Sequence, residues 1–472
     1  MAVHVKNMTT GKPAKLILSF SLSLVAGNIF QQLYTVVDTM VVGKYLGVSA
    51  LAALGASDWL NWLMLGVIQG LTQGFGIRMA QEFGAGRTDD LKKSVGSAAV
   101  LPMLSAVVLV AAGQLFAGPV LRILQTPPEI MGYSLLYLRI MFAGVPIVML
   151  YNLLACILRS LGDSRTPLNA MIVASITNIV LDYLFVLGFG WGIAGAAAAT
   201  LIAQAVSGAY CFFYISKIAF LKLSRPDFRL RKELSARLFL LGLPMAFQNG
   251  IIAVGGMFVQ FAVNGYGVIF IAGFTATNKL YGLLEIAGTS YGYAMVTYVG
   301  QNLGAGKLDR VKSGMRAAMG IAMATSVFIA VCMLGCGKYL LGLFISGTPE
   351  VVEQTMRVAY FYLAVMSVCL PILYVLHVTR SALQGMGNTV LPMLSGVAEF
   401  VMRTLAVIFF PMLFGQVGIF FAEIVAWAGA DVVLVSSYLT VTRRLAGKGL
   451  HPSAVQSDDL AGQIGGSIQQ GE

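Results

Sequence analysis

The stretch Gln81-Glu82-Phe83-Gly84-Ala85-Gly86-Arg87-Thr88-Asp89-Asp90-Leu91-Lys92 returns 220 residues later as Gln301-Asn302-Leu303-Gly304-Ala305-Gly306-Lys307-Leu308-Asp309-Arg310-Val311-Lys312. Gln, Gly-Ala-Gly, a base, Asp and Lys keep their places in both copies. A second echo follows at an offset of 225, where Leu158, Gly162 and Pro167 return as Leu383, Gly387 and Pro392, each before a long apolar run. Two echoes at nearly one offset make the chain a tandem duplication. Internal symmetry of that size in an apolar chain points to a transporter built from two similar halves.

The apolar character is pronounced. Of 472 residues, 58% are hydrophobic and 11% charged, against about 25% charged in soluble domains. The apolar residues come in blocks of roughly 20 or more, the length a helix needs to cross about 30 Å of hydrocarbon. The first block, from after Lys15 to past Val41, is too long for a signal-peptide core and reads as an uncleaved first span. The five cysteines lie in or beside apolar stretches without a Cys-x-x-Cys pair, which argues for small apolar fillers over a zinc site or disulfide framework.

Twelve spans are expected, at about 16–41, 52–77, 94–117, 132–155, 167–188, 192–217, 237–262, 271–298, 314–340, 356–380, 391–414 and 417–440. Twenty-four Lys and Arg fall in the N-terminal segment, alternate loops and the C-terminal segment. Four (Lys44, Arg122, Lys338, Arg357) fall in the opposite loops, and Arg139, Lys279 and Arg403 lie inside spans, which accounts for all 31. The bias places both termini in the cytoplasm and the chain in the cell membrane. It also explains the net charge of +11 without nucleic acid. The fold class is therefore all-α and polytopic, twelve transmembrane helices in two pseudo-symmetric six-helix bundles. Residues 1–220 form the first bundle, 221–236 a basic cytoplasmic linker, 237–445 the second bundle and 446–472 a polar, disordered tail. Six spans per half give both halves the same orientation, with a cleft between them.

The duplicated Gly-Ala-Gly-Arg/Lys invites a phosphate-loop reading, but each copy sits where a span ends, where glycine caps a helix C-terminus. No G-x-x-x-x-G-K-[S/T] occurs, so ion gradients are the expected energy source, with no cofactor. Acids inside spans cost a few kcal/mol each unless paired or hydrated. Asp38 lies late in span 1, and Asp182 in span 5 has Asn178 one turn earlier on the same face. Thr200 adds a hydroxyl. Two carboxylates, an amide oxygen and a hydroxyl suit a cation such as Na⁺, and a carboxylate pair that shares a proton suits proton coupling. Glu399 and Arg403, four apart in span 11, are expected to form a structural ion pair. Glu285 reads either as a titrating or cavity-lining group or as a local structural residue. Tyr34, Tyr281, His377 and Glu423 are the other candidates for a substrate cavity. Pro146, Pro244, Pro371 and Pro411 suggest kinks.

This pattern resembles the multidrug and toxic compound extrusion (MATE) family of secondary transporters over roughly residues 12–445. The resemblance rests on Val37-Asp38-Thr39 with Val42-Gly43, on Gly84-Ala85-Gly86, on Leu158 to Pro167 (LRSLGDSRTP), and most specifically on Asn178-x-x-x-Asp182 followed by Thr200. It implies that Asp38, Asn178, Asp182 and Thr200 form a cation or proton site in the N-terminal half. Another branch of the family has essential acids in spans 7 and 10. After Pro244 this chain reads Met-Ala-Phe-Gln-Asn-Gly-Ile-Ile-Ala-Val, and span 10 offers His377 and Arg380. The chain thus resembles the branch that couples through the N-terminal half.

The expectation is an antiporter that exports amphipathic, cationic organic compounds in exchange for H⁺ or Na⁺ by alternating access. Its partners are small organic cations and the lipid bilayer, with no obligate protein partner. A flippase for lipid-linked saccharides is the rival, and it would be expected to show a cationic cavity. The intramembrane surplus here is acidic, with Asp38, Asp182, Glu285, Glu399 and Glu423 against Arg139, Lys279 and Arg403. A membrane enzyme would need a nucleophile or metal set at recognisable spacing, and a channel would need a filter motif. Neither is found.

Overall fold

Long apolar blocks separated by short polar turns leave a membrane chain one economical solution, since each helix satisfies its own backbone groups. The computed structural model describes residues 4–124, 126–345 and 348–447. Fourteen helices are described: α1 (Pro13–Tyr45), α2 (Val48–Gly84), α3 (Thr88–Ile123), α4 (Pro128–Ala143), α5 (Val145–Ser160), α6 (Arg165–Asp182), α7 (Gly192–Ser216), α8 (Lys232–Val263), α9 (Val268–Gly304), α10 (Leu308–Gly342), α11 (Pro349–Val368), α12 (Leu370–Gly385), α13 (Val390–Phe414) and α14 (Ala422–Gly447). The expected tail begins at the last turn of α14, and all of it beyond Gly447 lies outside the described residues.

Two helix pairs are each one broken span. α4 and α5 meet at 49°, α11 and α12 at 48°. Pro146 and Pro371, at the repeat offset of 225, stand just after the breaks, where proline removes a backbone donor. Pro244 and Pro411, also expected to mark kinks, sit inside the unbroken helices α8 and α13. Counting each bent pair once leaves twelve spans. Ten candidates follow from apolar length alone, the two bent pairs among them and α13 with α14 run together as one. α9, which carries Asn278, Lys279 and Glu285, is not among them. α2 and α9 have 37 residues each, about 55 Å at 1.5 Å per residue, so both project beyond the hydrocarbon. They project at the end that also carries Arg165 and the Lys217–Arg237 segment, the basic end of the bundle.

The duplicated motif closes both projecting helices in the same way. Gly86 (φ 71°) and Gly306 (φ 70°) adopt the left-handed conformation that turns the chain into α3 and α10. Between α7 and α8, Ser224 donates to the Asp227 carboxylate from both its backbone N and its hydroxyl, at 2.7 Å each. These bonds hold the Asp227 carboxyl below the usual carboxylate range. A depressed acid stabilises above its unfolded value of about 3.9, so this turn is lost as pH falls through the still lower folded value. Faster amide exchange at residues 224–228 below that pH, and in Ser224→Ala at neutral pH, is the expected result.

The two halves, α1–α7 and α8–α14, meet chiefly where α2 crosses α8. Gly66, Gly70 and Gly74 recur every fourth residue on α2 and lie against Asn249, Ala246 and Gly242. A Cβ at Gly70 or Gly74 would overlap the α8 backbone, so the crossing depends on bare glycine, the small-residue packing of membrane helices. Gly74→Val is expected to lower Tm and the yield of monodisperse protein, with an overpacking cost of about 1–3 kcal/mol or more. The asparagines Asn28 and Asn249 each bridge the halves. Asn28 Nδ2 donates to Ser290 Oγ at 3.2 Å, and Asn249 Nδ2 donates to the Gly66 carbonyl at 2.9 Å.

Candidate ion-coupling site

α1 and α6 run side by side because small residues let them approach. Gly27 stands against the Leu168 backbone, and Ser175 Oγ donates to the Phe30 carbonyl at 3.2 Å. This contact brings Asp38 and Asp182 into each other's electrostatic field, in the part of both helices remote from the basic end. Both acids are buried, Asp182 and Asn178 completely. α7 delivers Thr200, whose hydroxyl accepts from Asn178 Nδ2 at 3.4 Å. The amide thereby turns its nitrogen to the hydroxyl and leaves its oxygen free. All four residues expected to form the site are thus drawn together from three helices.

Two neighbours complete the group. Tyr34, one turn before Asp38 on α1 and expected in a substrate cavity, reaches the side chain of Gln204 on α7. Gln204 was not among the expected residues, although it lies one turn beyond Thr200, the spacing that would have revealed it. Asp38 Oδ1, Asn178 Oδ1, both carboxylate oxygens of Asp182 and Gln204 Oε1 are buried without a hydrogen-bond partner. Buried polar atoms are ordinarily satisfied, so these five oxygens, on residues linked around Asp38 and Asp182, make an acceptor-rich group with a deficit of positive charge. Oxygen donors of this kind fit an alkali cation or protons. Just after Asp182 the helix widens into a π-helical turn, Tyr183–Gly188, a distortion frequent at functional sites.

Asp58 on α2, also not anticipated, acts electrostatically on Asp38. It lies within the field of Lys279 on α9 of the other half. It is the one acid in the apolar stretch 52–77 of α2, and that is the signal that could have found it.

The second half holds its charges differently. Glu399 and Arg403 form the expected ion pair, at 2.9 Å, but within a longer chain of charges. Arg380 Nη2 donates to Glu399 at 2.8 Å, and Arg403 Nη2 also donates to Glu423 at 2.7 Å. Glu423, expected in a substrate cavity, is paired with Arg403 where α13 packs on α14. One expectation is corrected here. Arg380, counted among the basic loops, is buried. The Glu285 carboxylate lies 3.4 Å from His377 Nε2, across α9 and α12, without hydrogen-bond alignment. Tyr281 stacks on Trp427 at 6.1 Å. Glu285, His377 and Tyr281 therefore belong to the second half, apart from the Asp38–Asp182 group.

Comparison with known proteins agrees with this architecture. The MatE family model matches residues 24–184 and 244–418, one segment in each half. "Probable multidrug resistance protein YpnP" of Bacillus subtilis (strain 168) is 31% identical over 360 residues, 75% of this chain and 80% of that protein. The "FAD transporter" of Shewanella oneidensis is 24% identical over 347 residues, 72% of this chain and 76% of that protein. A solved structure of an outward-facing "multidrug resistance MATE family transporter of the MOP superfamily" superposes with a TM-score of 0.86 over 95% of this chain and 100% of that one. At 20% identity it speaks for the fold. With its duplicated twelve-span architecture and a family match running through both halves, this chain belongs to the multidrug and toxic compound extrusion family, and is a membrane transporter rather than an enzyme.

Proposed function

We propose that this chain exports amphipathic, cationic organic compounds across the cell membrane in exchange for H⁺ or Na⁺, as its two halves alternate between inward- and outward-open arrangements. The observation that carries the reading is the set of five unpartnered buried oxygens on Asp38, Asn178, Asp182 and Gln204. A buried carboxylate with neither a proton nor a cation costs several kcal/mol, so the site favours a cation-loaded state. If the surrounding helices hold those oxygens together in one arrangement and not the other, ion binding shifts the equilibrium between them. Cargo that favours the opposite arrangement is then driven by the ion gradient. The names of the relatives, multidrug resistance and multidrug export proteins among them, support an organic cargo. The acids Asp38, Asp58 and Asp182, set against Lys279, support a cationic one. In this reading the basic end faces the cytoplasm, with both termini, in keeping with the Lys and Arg bias.

Ethidium efflux from ATP-free proteoliposomes, under an imposed pH gradient and separately under a Na⁺ gradient, tests the reading. Efflux driven by one gradient names the ion. Absence of efflux under both, with folded protein, would move the assignment to a lipid flippase. Gln204→Leu, which removes one acceptor and keeps the volume, is expected to raise the ion concentration for half-maximal efflux about tenfold, the value of a single charge-assisted contact.

A further inference from the structure

The duplicated passage that reveals the repeat also joins its two copies. Gln81 Nε2 donates to the Gly385 carbonyl at 3.1 Å, and its counterpart Gln301 Nε2 donates to the Ser160 carbonyl at 2.9 Å. Ser160 and Gly385 are themselves counterparts at the offset of 225. Each glutamine thus reaches into the opposite half and finds the equivalent acceptor. The same symmetry governs the backbone. A Cβ at Gly84 would overlap the Gln301 carbonyl, and a Cβ at Gly304 would overlap the Gln81 carbonyl. Nearer the membrane centre, Gln73 Nε2 donates at 3.0 Å to Tyr293 Oη, again its own counterpart at an offset of 220. The halves are therefore closed against each other at the basic end by a two-fold clasp.

One element breaks the symmetry. The segment Lys6–Thr9, just before α1, lies across the clasp. Lys6 N donates to the Leu161 carbonyl of the first half at 3.1 Å. Met8 N then donates to Gln301 Oε1 at 2.8 Å, and the Met8 carbonyl accepts from Asn302 Nδ2 at 3.2 Å and Arg310 Nη2 at 3.1 Å. Lys307 Nζ donates to the Thr9 carbonyl at 3.0 Å. The Met8 side chain is fully buried. The chemistry explains why the segment sits on the second copy. Asn302 and Arg310 donate to a carbonyl, whereas at the equivalent places the first copy has Glu82 and Asp90, which cannot. Glu82 is instead occupied by Arg78 at 2.6 Å.

We propose that Gln81 and Gln301 are the paired latches of a gate at the basic end, and that Lys6–Thr9 is a strap that reinforces the Gln301 latch alone. The two latches then have equal geometry and unequal strength. Gln301 makes two bonds and is fully buried, while Gln81 donates one to the opposite half and is partly exposed. The strap runs directly into α1, the helix that carries Asp38, so movement of α1 and release of the gate are mechanically joined. The proposal rests on alternation of the halves and is independent of which ion or cargo is carried.

Asp89 and Asp309 are exposed counterparts flanking the clasp. Spin labels at Asp89→Cys and Asp309→Cys, in a background with the five native cysteines replaced, report the separation of the halves by pulsed electron resonance without ion or cargo. Gln301→Met and Gln81→Met keep side-chain length and remove the amide. Gln301→Met is expected to increase the long-distance population about two- to tenfold per hydrogen bond lost, and Gln81→Met less. Deletion of residues 4–9 should open the gate at least as far as Gln81→Met, and should add little to Gln301→Met, which has already lost the Met8 bond. Unchanged distances in both glutamine variants, with wild-type Tm, would overturn the gate. Equal shifts in the two, with no effect of the deletion, would overturn the strap. Because neither readout involves transport, both remain interpretable if the ion-coupling assignment fails.

Discussion

Asp182→Asn is expected to abolish gradient-driven efflux while leaving the protein folded. The substitution keeps the shape of the side chain and its place beside Asn178, one turn away on α6. It removes the charge that makes cation or proton binding favourable. Without differential ion affinity between the two arrangements, the gradient has nothing to act on. Coupling energies of 1–3 kcal/mol correspond to about 5–150-fold in affinity, so initial efflux should fall by at least about tenfold, to the passive leak. Tm should hold or rise, because an amide tolerates complete burial better than a carboxylate. Wild-type efflux from the folded variant would remove Asp182 from the mechanism. Asp38→Asn is the companion experiment, and if the two acids bind one ion jointly, the double variant should be no worse than either single one.

Arg403→Met should produce the largest loss of stability. Arg403 Nη2 bridges Glu399 at 2.9 Å and Glu423 at 2.7 Å, on helices α13 and α14. Removal leaves Glu399 with Arg380, but strands the Glu423 carboxylate in a largely buried position. Breaking a buried pair costs about 3–5 kcal/mol, because an uncompensated charge remains. A drop of several degrees in Tm, measured in detergent, is the expected result. The double variant Arg403→Met with Glu423→Gln should recover most of it, which distinguishes a stranded charge from lost packing. Arg403→Lys should rescue only in part, since one ammonium on a flexible stem can meet both carboxylates, as Nη2 does, but loses the Nη1 contact to the Ile252 carbonyl at 3.5 Å. If the single variant retains wild-type Tm, the four-charge chain is not structural.

The Asp38–Asp182 group is largely legible in the sequence, because polar atoms in apolar helices are conspicuous. Asp38, Asn178, Asp182 and Thr200 each interrupt a run that otherwise needs no explanation. Gln204 was equally visible but has no charge to draw attention. Arg380 was misplaced for the opposite reason. It lies near a helix end, where positive charge usually means a loop, yet α12 turns it inward to Glu399. The gate was beyond reach. The repeat showed that Gln81 and Gln301 are equivalent, but equivalence says nothing about contact.

That contrast sets the division between chain and fold. Span number, the duplication and the polar interruptions follow from properties local in sequence: apolar length against bilayer thickness, and the cost of a polar group within it. Which groups meet depends on how each helix is rotated and where it crosses its neighbours. Those variables are decided by packing, as where Gly70 and Gly74 let α2 lie directly on the α8 backbone. The five unpartnered oxygens around Asp38 and Asp182, the charge chain through Arg403 and the clasp beneath the strap all join residues from different helices. Tertiary structure alone decided them, because bilayer partitioning fixes a helix's depth far more tightly than its rotation.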